Sequence, residues 1–245
     1  MEPQNPLVRI QRSWLAANER VLLVHFANRM PAWIKPDHLT LLGLGGALSC
    51  GLGFAASAAS PLWLCLALEG LIVNWAGDSL DGNLARARGT ERPGYGFFVD
   101  HTSDILSQAF IFMGMAFSPY IRFETGCLLL MSYWIAALFT FIRAISVQVF
   151  QISYFGIGPT EIRIGLVCYV LSLLTVGTLP VVTRLGPLSL MDLLAVGIFA
   201  TVLCSFLVLT LREARRLAAL EQGPTHAIKR DAVSTRLQDR AGAAG

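Results

Sequence analysis

Long apolar segments alternate with short charged ones along almost the whole chain. A helix of about 20 apolar residues crosses the hydrocarbon core of a bilayer. Six segments of about that length or somewhat longer lie at residues 38–58, 61–82, 96–117, 124–150, 161–182 and 190–211. The pattern therefore predicts an all-α, polytopic membrane protein with six transmembrane helices.

The N-terminal residues 6–33 follow a different pattern. Ile10, Trp14, Ala17 and Val21 recur at three- and four-residue spacing, with arginines between them. Such a stretch is typical of an interfacial amphipathic helix that lies on an anionic membrane surface. The alternative is an ordinary helix packed on the protein core.

The composition fits one membrane-embedded domain. Of the 245 residues 54% are hydrophobic and 14% are charged, and the mean hydropathy is +0.58. We expect an N-terminal cytoplasmic segment at 1–37 with the interfacial helix, a six-helix catalytic domain at 38–212, and a partly disordered cytoplasmic tail at 213–245. The chain is too short for separate catalytic and membrane domains, so its chemistry must take place in or against the bilayer.

The basic residues are unevenly distributed. With six spans, Arg122 and Arg184 lie alone on one side of the membrane, and the other seventeen of the nineteen Lys and Arg residues lie on the opposite side. The positive-inside rule makes the second side cytoplasmic. Both termini and the loop near residue 90 then face the cytoplasm, at the inner membrane if the cell is bacterial. The bias is a topology signal, and no nucleic-acid partner is expected.

Four acidic residues flank this loop, between segments apolar enough to lie in a bilayer: Asp78, Asp81, Asp100 and Asp104. On helices, the spacings i, i+3 and i, i+4 place each pair on one face. Converging carboxylates repel one another unless they are protonated or bridged by hard divalent cations. The stretch therefore predicts a metal site built from two helices, although intramembrane acids also occur in proton relays and ion pathways.

The residues between the two acidic pairs suit a phosphate. Gly82 allows a ligand to approach the backbone, while Arg86 and Arg88 supply fixed positive charge. An anion held between metal ions and arginine is the arrangement expected for phosphoryl transfer. A solvated loop would explain the arginines but not the aspartates. Asn74, one helical turn before Asp78, is a further candidate for the pocket.

The stretch 78–104 resembles the signature of the CDP-alcohol phosphotransferase family, D-x2-D-G-x2-A-R, a spacer, then G-x3-D-x3-D. Every signature residue is present, although the nine-residue spacer between Arg86 and Gly96 is longer than the usual seven or eight. The resemblance implies two divalent cations, Mg²⁺ or Mn²⁺, on Asp78, Asp81 and Asp100, with Asp104 as a further ligand or the general base. It also implies a nucleotide pocket lined by Gly82, Ala85, Arg86 and Gly96.

Two local matches extend the resemblance. Residues 36–40, Pro-Asp-His-Leu-Thr, are similar to the Pro-Asn-x-x-Thr that often opens the family's first span. Residues 158–161, Gly-Pro-Thr-Glu, are similar to a tetrapeptide of the choline and ethanolamine phosphotransferase branch, which also has a histidine where His101 stands. A lipid hydroxyl needs a base to become a good nucleophile. His101, supported by Glu161, is a candidate; alternatively, His101 orients a metal ligand and Glu161 caps a helix.

The resemblance implies an enzyme that transfers a substituted phosphate from a CDP-alcohol to an acceptor hydroxyl and releases CMP. The preferred version uses CDP-ethanolamine or CDP-choline and a lipid acceptor such as diacylglycerol. The alternative transfers a phosphatidyl group from CDP-diacylglycerol to a small polar alcohol such as glycerol phosphate, inositol phosphate, serine or choline; Arg143 and Arg163 would then bind a phosphorylated acceptor, or else serve as membrane anchors. Membrane lipids are expected partners, and family resemblance suggests a homodimer.

Two hypotheses from other classes of protein compete with this transferase. A membrane prenyltransferase also binds a pyrophosphate through aspartates and magnesium, but it usually has more spans. A small cation transporter would place its acids near the middle of the spans, whereas these acids lie near the predicted cytoplasmic ends.

Overall fold

The computed structural model describes residues 8–10, 16–147, 149–151, 158–178, 180–183 and 186–221. The described residues up to Ala200 form one compact unit and residues 201–221 belong to a second. Most of the described residues are helical, which confirms the all-α class. The helices are α1 (Ala16–Arg29), α2 (Pro36–Ala56), α3 (Leu64–Ala87), α4 (Pro93–Ala116), α5 (Phe123–Val147), α6 (Pro159–Thr175) and α7 (Leu190–Glu221), with a 3₁₀ turn at Pro61–Trp63.

The described residues also include four short strands. β1 (Val8–Ile10) pairs in parallel with β2 (Val149–Gln151), and β3 (Pro180–Thr183) pairs antiparallel with β4 (Gly186–Ser189). The sequence pattern extended the N-terminal helix back to residue 6 and the fourth span to residue 150. In the structure, residues 8–10 and 149–151 pair as β1 and β2 instead, while α1 spans Ala16–Arg29 and α5 spans Phe123–Val147.

Three of the described helices are long and apolar enough to cross a membrane: Pro36–Ala56, Phe123–Ser146 and Leu190–Ala219. These helices indicate that the chain is a membrane protein. The other three predicted spans correspond to α3, α4 and α6. Acidic and basic side chains interrupt the apolar surface of α3 and α4, and α6 has only 17 residues. The count of six spans therefore stays a prediction.

Backbone contacts hold α2 against α3. A Cβ atom on Gly46 would lie 2.5 Å from the Asn74 nitrogen, and one on Gly43 would lie 3.1 Å from the Asp78 nitrogen. Since residue numbers fall along α2 as they rise along α3, the two helices run antiparallel. Small residues permit such close approach of helices. This packing fixes the turn of α3 that carries Asp78.

α2 also packs against α4. The backbones meet at Gly51 and Gly114, where a Cβ atom on either glycine would collide with the other helix. The apolar core continues from this contact through fully or almost fully buried side chains on three helices, among them Phe54, Leu71, Ile111 and Met115. α2 therefore sets the positions of both helices that carry the predicted acidic pairs.

α1 presents two apolar faces. Leu23 and Ala27 are buried, and Leu23 packs in a small cluster with Leu39, Leu80 and Leu84 of α2 and α3. Val21 and Leu22, like Val24 and Phe26, are exposed. The helix thus packs on the core with one side and leaves an apolar side uncovered. Its place at a membrane interface stays a prediction, and Trp14 lies outside the described residues.

Candidate functional site

Three of the four predicted acids converge. One oxygen each of Asp78 on α3 and of Asp100 and Asp104 on α4 lie within 4.8 Å of one another. The i, i+4 spacing places Asp100 and Asp104 on one face of α4. Because α3 and α4 both pack on α2, Asp78 lies beside them. Three carboxylates this close repel strongly unless a cation compensates their charge.

An arginine that is distant in sequence supplies part of this charge. Arg163 of α6 donates from Nη2 to Asp78 Oδ2 at 2.5 Å, and its side chain is 11% exposed. Guanidinium and carboxylate form a strong, charge-assisted pair in such a place. The sequence offered Arg163 only as an anchor or as a binder of a phosphorylated acceptor. Nothing local predicts its contact with Asp78, because 85 residues separate the two.

Asp81 is placed differently from the other three acids. Its Oδ2 accepts a hydrogen bond from Thr40 Oγ1 of α2 at 2.6 Å, and its Oδ1 accepts one from the Gly82 amide at 2.5 Å. The residue is 9% exposed and does not belong to the converging group of three. The role of Asp81 as a metal ligand stays a prediction. Thr40 was not proposed as a site residue, although it closes the similar pentapeptide at residues 36–40.

His101 lies next to two of the acids. Its Nδ1 is 3.4 Å from Asp100 Oδ2 and 4.0 Å from Asp104 Oδ2. The imidazole also contacts two aromatic rings, Phe97 at 4.2 Å and Phe141 at 5.2 Å between ring centroids. These rings restrict the orientation of the imidazole beside the carboxylates. The position suits either a base or a group that orients Asp100 and Asp104.

The predicted nucleotide pocket lies along the last turns of α3. The Arg86 guanidinium folds back towards Gly82 and donates from Nη2 to Asn83 Oδ1 at 3.1 Å. Ala85 is half-buried, and Gly96 lies exposed in the first turn of α4. In the sequence these residues lie between Asp81 and Asp100, in the last turns of α3 and the first turn of α4. Their contact with a nucleotide stays a prediction.

Two other predicted residues have structural contacts. Asn74 is 2% exposed and donates from Nδ2 to the Gly43 carbonyl at 3.0 Å and to Ser107 Oγ at 3.3 Å, which links α3 to α2 and α4. Glu161 accepts a hydrogen bond from the Gly158 amide at 2.9 Å, at the start of α6. These contacts fit a packing role for Asn74 and a capping role for Glu161; the binding and catalytic roles stay predictions.

Arg88 does not point at the acidic group. It donates to four backbone carbonyls that follow α1: Met30 at 3.0 Å, Pro31 at 2.7 Å, Ala32 at 3.5 Å, and Ile34. These carbonyls lie outside the hydrogen-bond ladders of α1 and α2, and the five N–H donors of a guanidinium can satisfy several of them at once. Arg88, which the sequence predicted to bind phosphate, therefore stabilises the turn between α1 and α2.

The structure combines a mainly helical, apolar fold with three acidic side chains, Asp78, Asp100 and Asp104, which two helices packed on α2 bring together at the spacing of a metal site. Residues 33–202 match the family model of CDP-alcohol phosphatidyltransferases. The chain belongs to this family. Its members transfer a phosphoalcohol from a CDP-alcohol to an acceptor, and they generally use divalent metals.

The acidic group fits such a metal. Carboxylate oxygens are the ligands that Mg²⁺ and Mn²⁺ favour, and three of them come within 4.8 Å of one another here. Asp78, Asp100 and Asp104 would hold the cation. When bound, it would supply positive charge to the oxygens of a pyrophosphate.

Proposed function

We propose that the protein transfers phosphoethanolamine or phosphocholine from the corresponding CDP-alcohol to the hydroxyl of a lipid such as diacylglycerol. The observation that carries this proposal is the convergence of Asp78, Asp100 and Asp104 in a chain of the CDP-alcohol phosphatidyltransferase family. Charge neutralisation and positioning account for most of the catalysis of phosphoryl transfer. We place two divalent cations, Mg²⁺ or Mn²⁺, in this site, with Asp81 as a further ligand.

The reaction exchanges one P–O bond for another. The acceptor oxygen bonds to the phosphorus that carries the aminoalcohol, and the bond from this phosphorus to the bridging oxygen breaks. CMP leaves with the bridging oxygen, while the hydroxyl proton passes to a base. His101, with Asp104 or Glu161 sharing the proton, is that base. Gly82, Ala85, Arg86 and Gly96 bind the nucleotide and its phosphates, and Asn74 supports the pocket.

The surface beside His101 supports a lipid acceptor. The first turns of α4 expose three aromatic side chains, Tyr95, Phe97 and Phe98, of which Phe98 is 69% exposed. Exposed apolar side chains next to a polar site suit an acceptor that arrives from the bilayer. We further propose that this end of the helices faces the cytoplasm and that the protein is a homodimer.

A second candidate is the transfer of a phosphatidyl group from CDP-diacylglycerol to a small polar alcohol. Arg163 favours it, because its guanidinium lies beside the three acids, and a phosphorylated acceptor such as glycerol phosphate would bind it in place of Asp78. The same contact is also compatible with the first candidate, in which Arg163 binds Asp78 alone.

A two-donor assay on the purified protein separates the two candidates. One reaction contains labelled CDP-ethanolamine or CDP-choline with diacylglycerol, and the other contains CDP-diacylglycerol with labelled polar alcohols. We expect label in lipid in the first reaction, with loss on EDTA treatment. Label that reaches lipid only in the second reaction would refute the preferred substrates.

The metal site is tested in the same assay. Asp78→Asn, Asp100→Asn and Asp104→Asn should each lower turnover by at least about a hundredfold, since each removes a charge from the site. Glu124→Gln is the control, because Glu124 is exposed and pairs with Arg122 at 3.9 Å. Normal turnover in the three aspartate variants would contradict the proposed function.

A further inference from the structure

One carboxylate of the N-terminal helix joins two of the helices that build the site. Glu19 of α1 accepts a hydrogen bond at Oε1 from Trp75 Nε1 of α3, at 2.8 Å. Its other oxygen, Oε2, accepts one from Thr160 Oγ1 of α6, at 2.7 Å. Both carboxylate oxygens are thus used, each towards a different helix.

Each of the two donors lies one helical turn before one member of the Arg163–Asp78 ion pair. Trp75 precedes Asp78 by three residues, and Thr160 precedes Arg163 by three residues. Residues three apart lie on the same face of a helix, about one turn from each other. α3 and α6 are therefore linked twice on facing sides, once through the Glu19 carboxylate and once directly by Arg163 and Asp78.

We infer that Glu19 is a positioning residue, which fixes α6 against α3 so that the Arg163 guanidinium stays on Asp78. The inference rests on the proposed function in one respect, since it takes Asp78 to be a metal ligand. Arg163 then acts as the positive charge that a divalent cation meets when it enters the group of three acids. The N-terminal helix thereby acts on the cation affinity of the site without touching the site.

The direction of the effect follows from Coulomb's law. A guanidinium next to Asp78 repels a divalent cation, so its removal strengthens cation binding. We expect Arg163→Gln to lower the dissociation constant for Mn²⁺ by about tenfold, and Arg163→Lys to change it little because the charge is kept. Without the Glu19 link, Arg163 is no longer held on Asp78, so Glu19→Ala should lower the same constant by about threefold.

The test measures Mn²⁺ binding by electron paramagnetic resonance on full-length protein in detergent, without nucleotide. It compares Glu19→Ala, Arg163→Gln and the double variant. If Glu19 acts through Arg163, the double variant binds Mn²⁺ as Arg163→Gln does, and the effects are not additive. A purely structural role for Glu19 would lower the melting temperature and leave Mn²⁺ affinity unchanged, which would overturn the inference.

If Glu19→Ala folds poorly, two milder variants test the same inference. Thr160→Val and Trp75→Phe each remove one donor to Glu19, and each should shift Mn²⁺ affinity in the same direction by a smaller factor. An equal effect of Glu19→Ala with and without Arg163 would also overturn the inference, while the metal site would stand. Absence of Mn²⁺ binding in the unaltered protein would instead contradict the proposed metal site, and with it this inference.

Discussion

Asp81 is held by a residue of another helix. The hydroxyl of Thr40 on α2 donates to Asp81 Oδ2, so one lone pair of a nearly buried carboxylate is satisfied from outside α3. A buried charged group left without its hydrogen bonds costs free energy, and bonds to charged groups are worth more than neutral ones. The contact therefore fixes the rotamer of Asp81 and links α2 to the acidic stretch.

Replacing Thr40 should show this coupling. Thr40→Val keeps the shape but removes the donor, so we expect a loss of about 1.5–3 kcal/mol in the free energy of unfolding. Turnover should also fall if Asp81 is a metal ligand. The measurements are the melting temperature in detergent and the transferase rate. Thr40→Ser retains a hydroxyl and should recover most of both; full stability in Thr40→Val together with a loss in Thr40→Ser would mean that the methyl packing of Thr40 matters and its hydrogen bond does not.

At the residue scale, the sequence predicted the local part of the site but not the long-range part. The i, i+4 spacing predicted that Asp100 and Asp104 lie on one face of α4, and the structure brings an oxygen of Asp78 within 4.8 Å of an oxygen of each. Their role as metal ligands stays a prediction. The spacing of the aspartates does not show which carboxylate accepts a hydrogen bond from a neutral donor, so the contact of Asp81 with Thr40 was not predicted. Arg163 and Glu19 reach the site region only through tertiary packing, and no local pattern marks them.

At the scale of helices, glycines set the distance between α2 and its neighbours. Gly46 and Gly45 are adjacent on α2, yet they face different surroundings. A Cβ atom on Gly46 would lie 2.5 Å from the Asn74 nitrogen and 2.8 Å from the Gly70 carbonyl oxygen, whereas one on Gly45 meets nothing within 4 Å. Backbone atoms cannot move aside as a flexible side chain can. The close packing of α2 on α3 therefore requires glycine at position 46 but not at position 45.

The pair offers a matched substitution. Gly46→Ala should push α2 and α3 apart and cost about 1–3 kcal/mol of stability, as overpacking does. Gly45→Ala should be neutral or stabilising by up to about 1 kcal/mol, because alanine favours the helix. Thermal unfolding in detergent measures both. Turnover of Gly46→Ala should fall too, since the same contact places Asp78. Similar melting temperatures for the two variants would show that the helices are not held by backbone contact.

A second link joins helices far apart in the sequence. Asp192, in the first turn of α7, is 2% exposed and accepts hydrogen bonds from the Arg122 amide at 2.8 Å, from Thr125 Oγ1, and from the amide and hydroxyl of Ser189 at 2.8 Å each. Ser189 Oγ accepts in turn from the Asp192 amide, at 3.0 Å. This reciprocal cap starts α7 and fastens it to the start of α5.

Loss of the Asp192 carboxylate should be costly because several donors lose their acceptor together. We expect Asp192→Ala to lower the free energy of unfolding by at least about 2–3 kcal/mol. Ser189→Ala should cost about 1 kcal/mol, as the loss of a cap does. Denaturation in detergent checks the order of the two variants. A smaller loss for Asp192→Ala than for Ser189→Ala would contradict the link to α5.

The positions of the helices were largely predictable, and the strands were not. Apolar runs located α2 through α7 because long periodic segments carry a strong signal. The three-residue strands β1 and β2 pair residues that lie about 140 apart in the chain, and their sequences carry no alternating pattern long enough to mark them. The helix pattern was therefore extended through both strands, at residues 6–33 and 124–150.

At the scale of the whole molecule, apolar surface remains where a water-soluble fold would bury it. At least half of the surface is exposed in four large apolar residues, Leu41 and Leu52 of α2 and Ile142 and Ile145 of α5. Large exposed apolar surfaces mark contact with lipid or with another protein. α3 and α4 are less apolar because they carry the acidic side chains and the basic loop between them, and α6 has only 17 residues. Length and composition therefore support three spans, whereas the charge bias favours six.

Labelling of single cysteines distinguishes these topologies. In a variant with the five native cysteines replaced, Glu124→Cys tests the first turn of α5, and Glu91→Cys tests the loop between α3 and α4; both side chains are exposed. With α4 as a span, the two positions lie on opposite sides of the membrane, since one helix of 24 residues separates them. A maleimide that cannot cross the membrane should therefore label position 124 from outside intact cells and position 91 only in inverted vesicles. Labelling of both positions from one side would mean that α4 does not cross, and the positive-inside count that places the acidic group at the cytoplasmic face would fail with it.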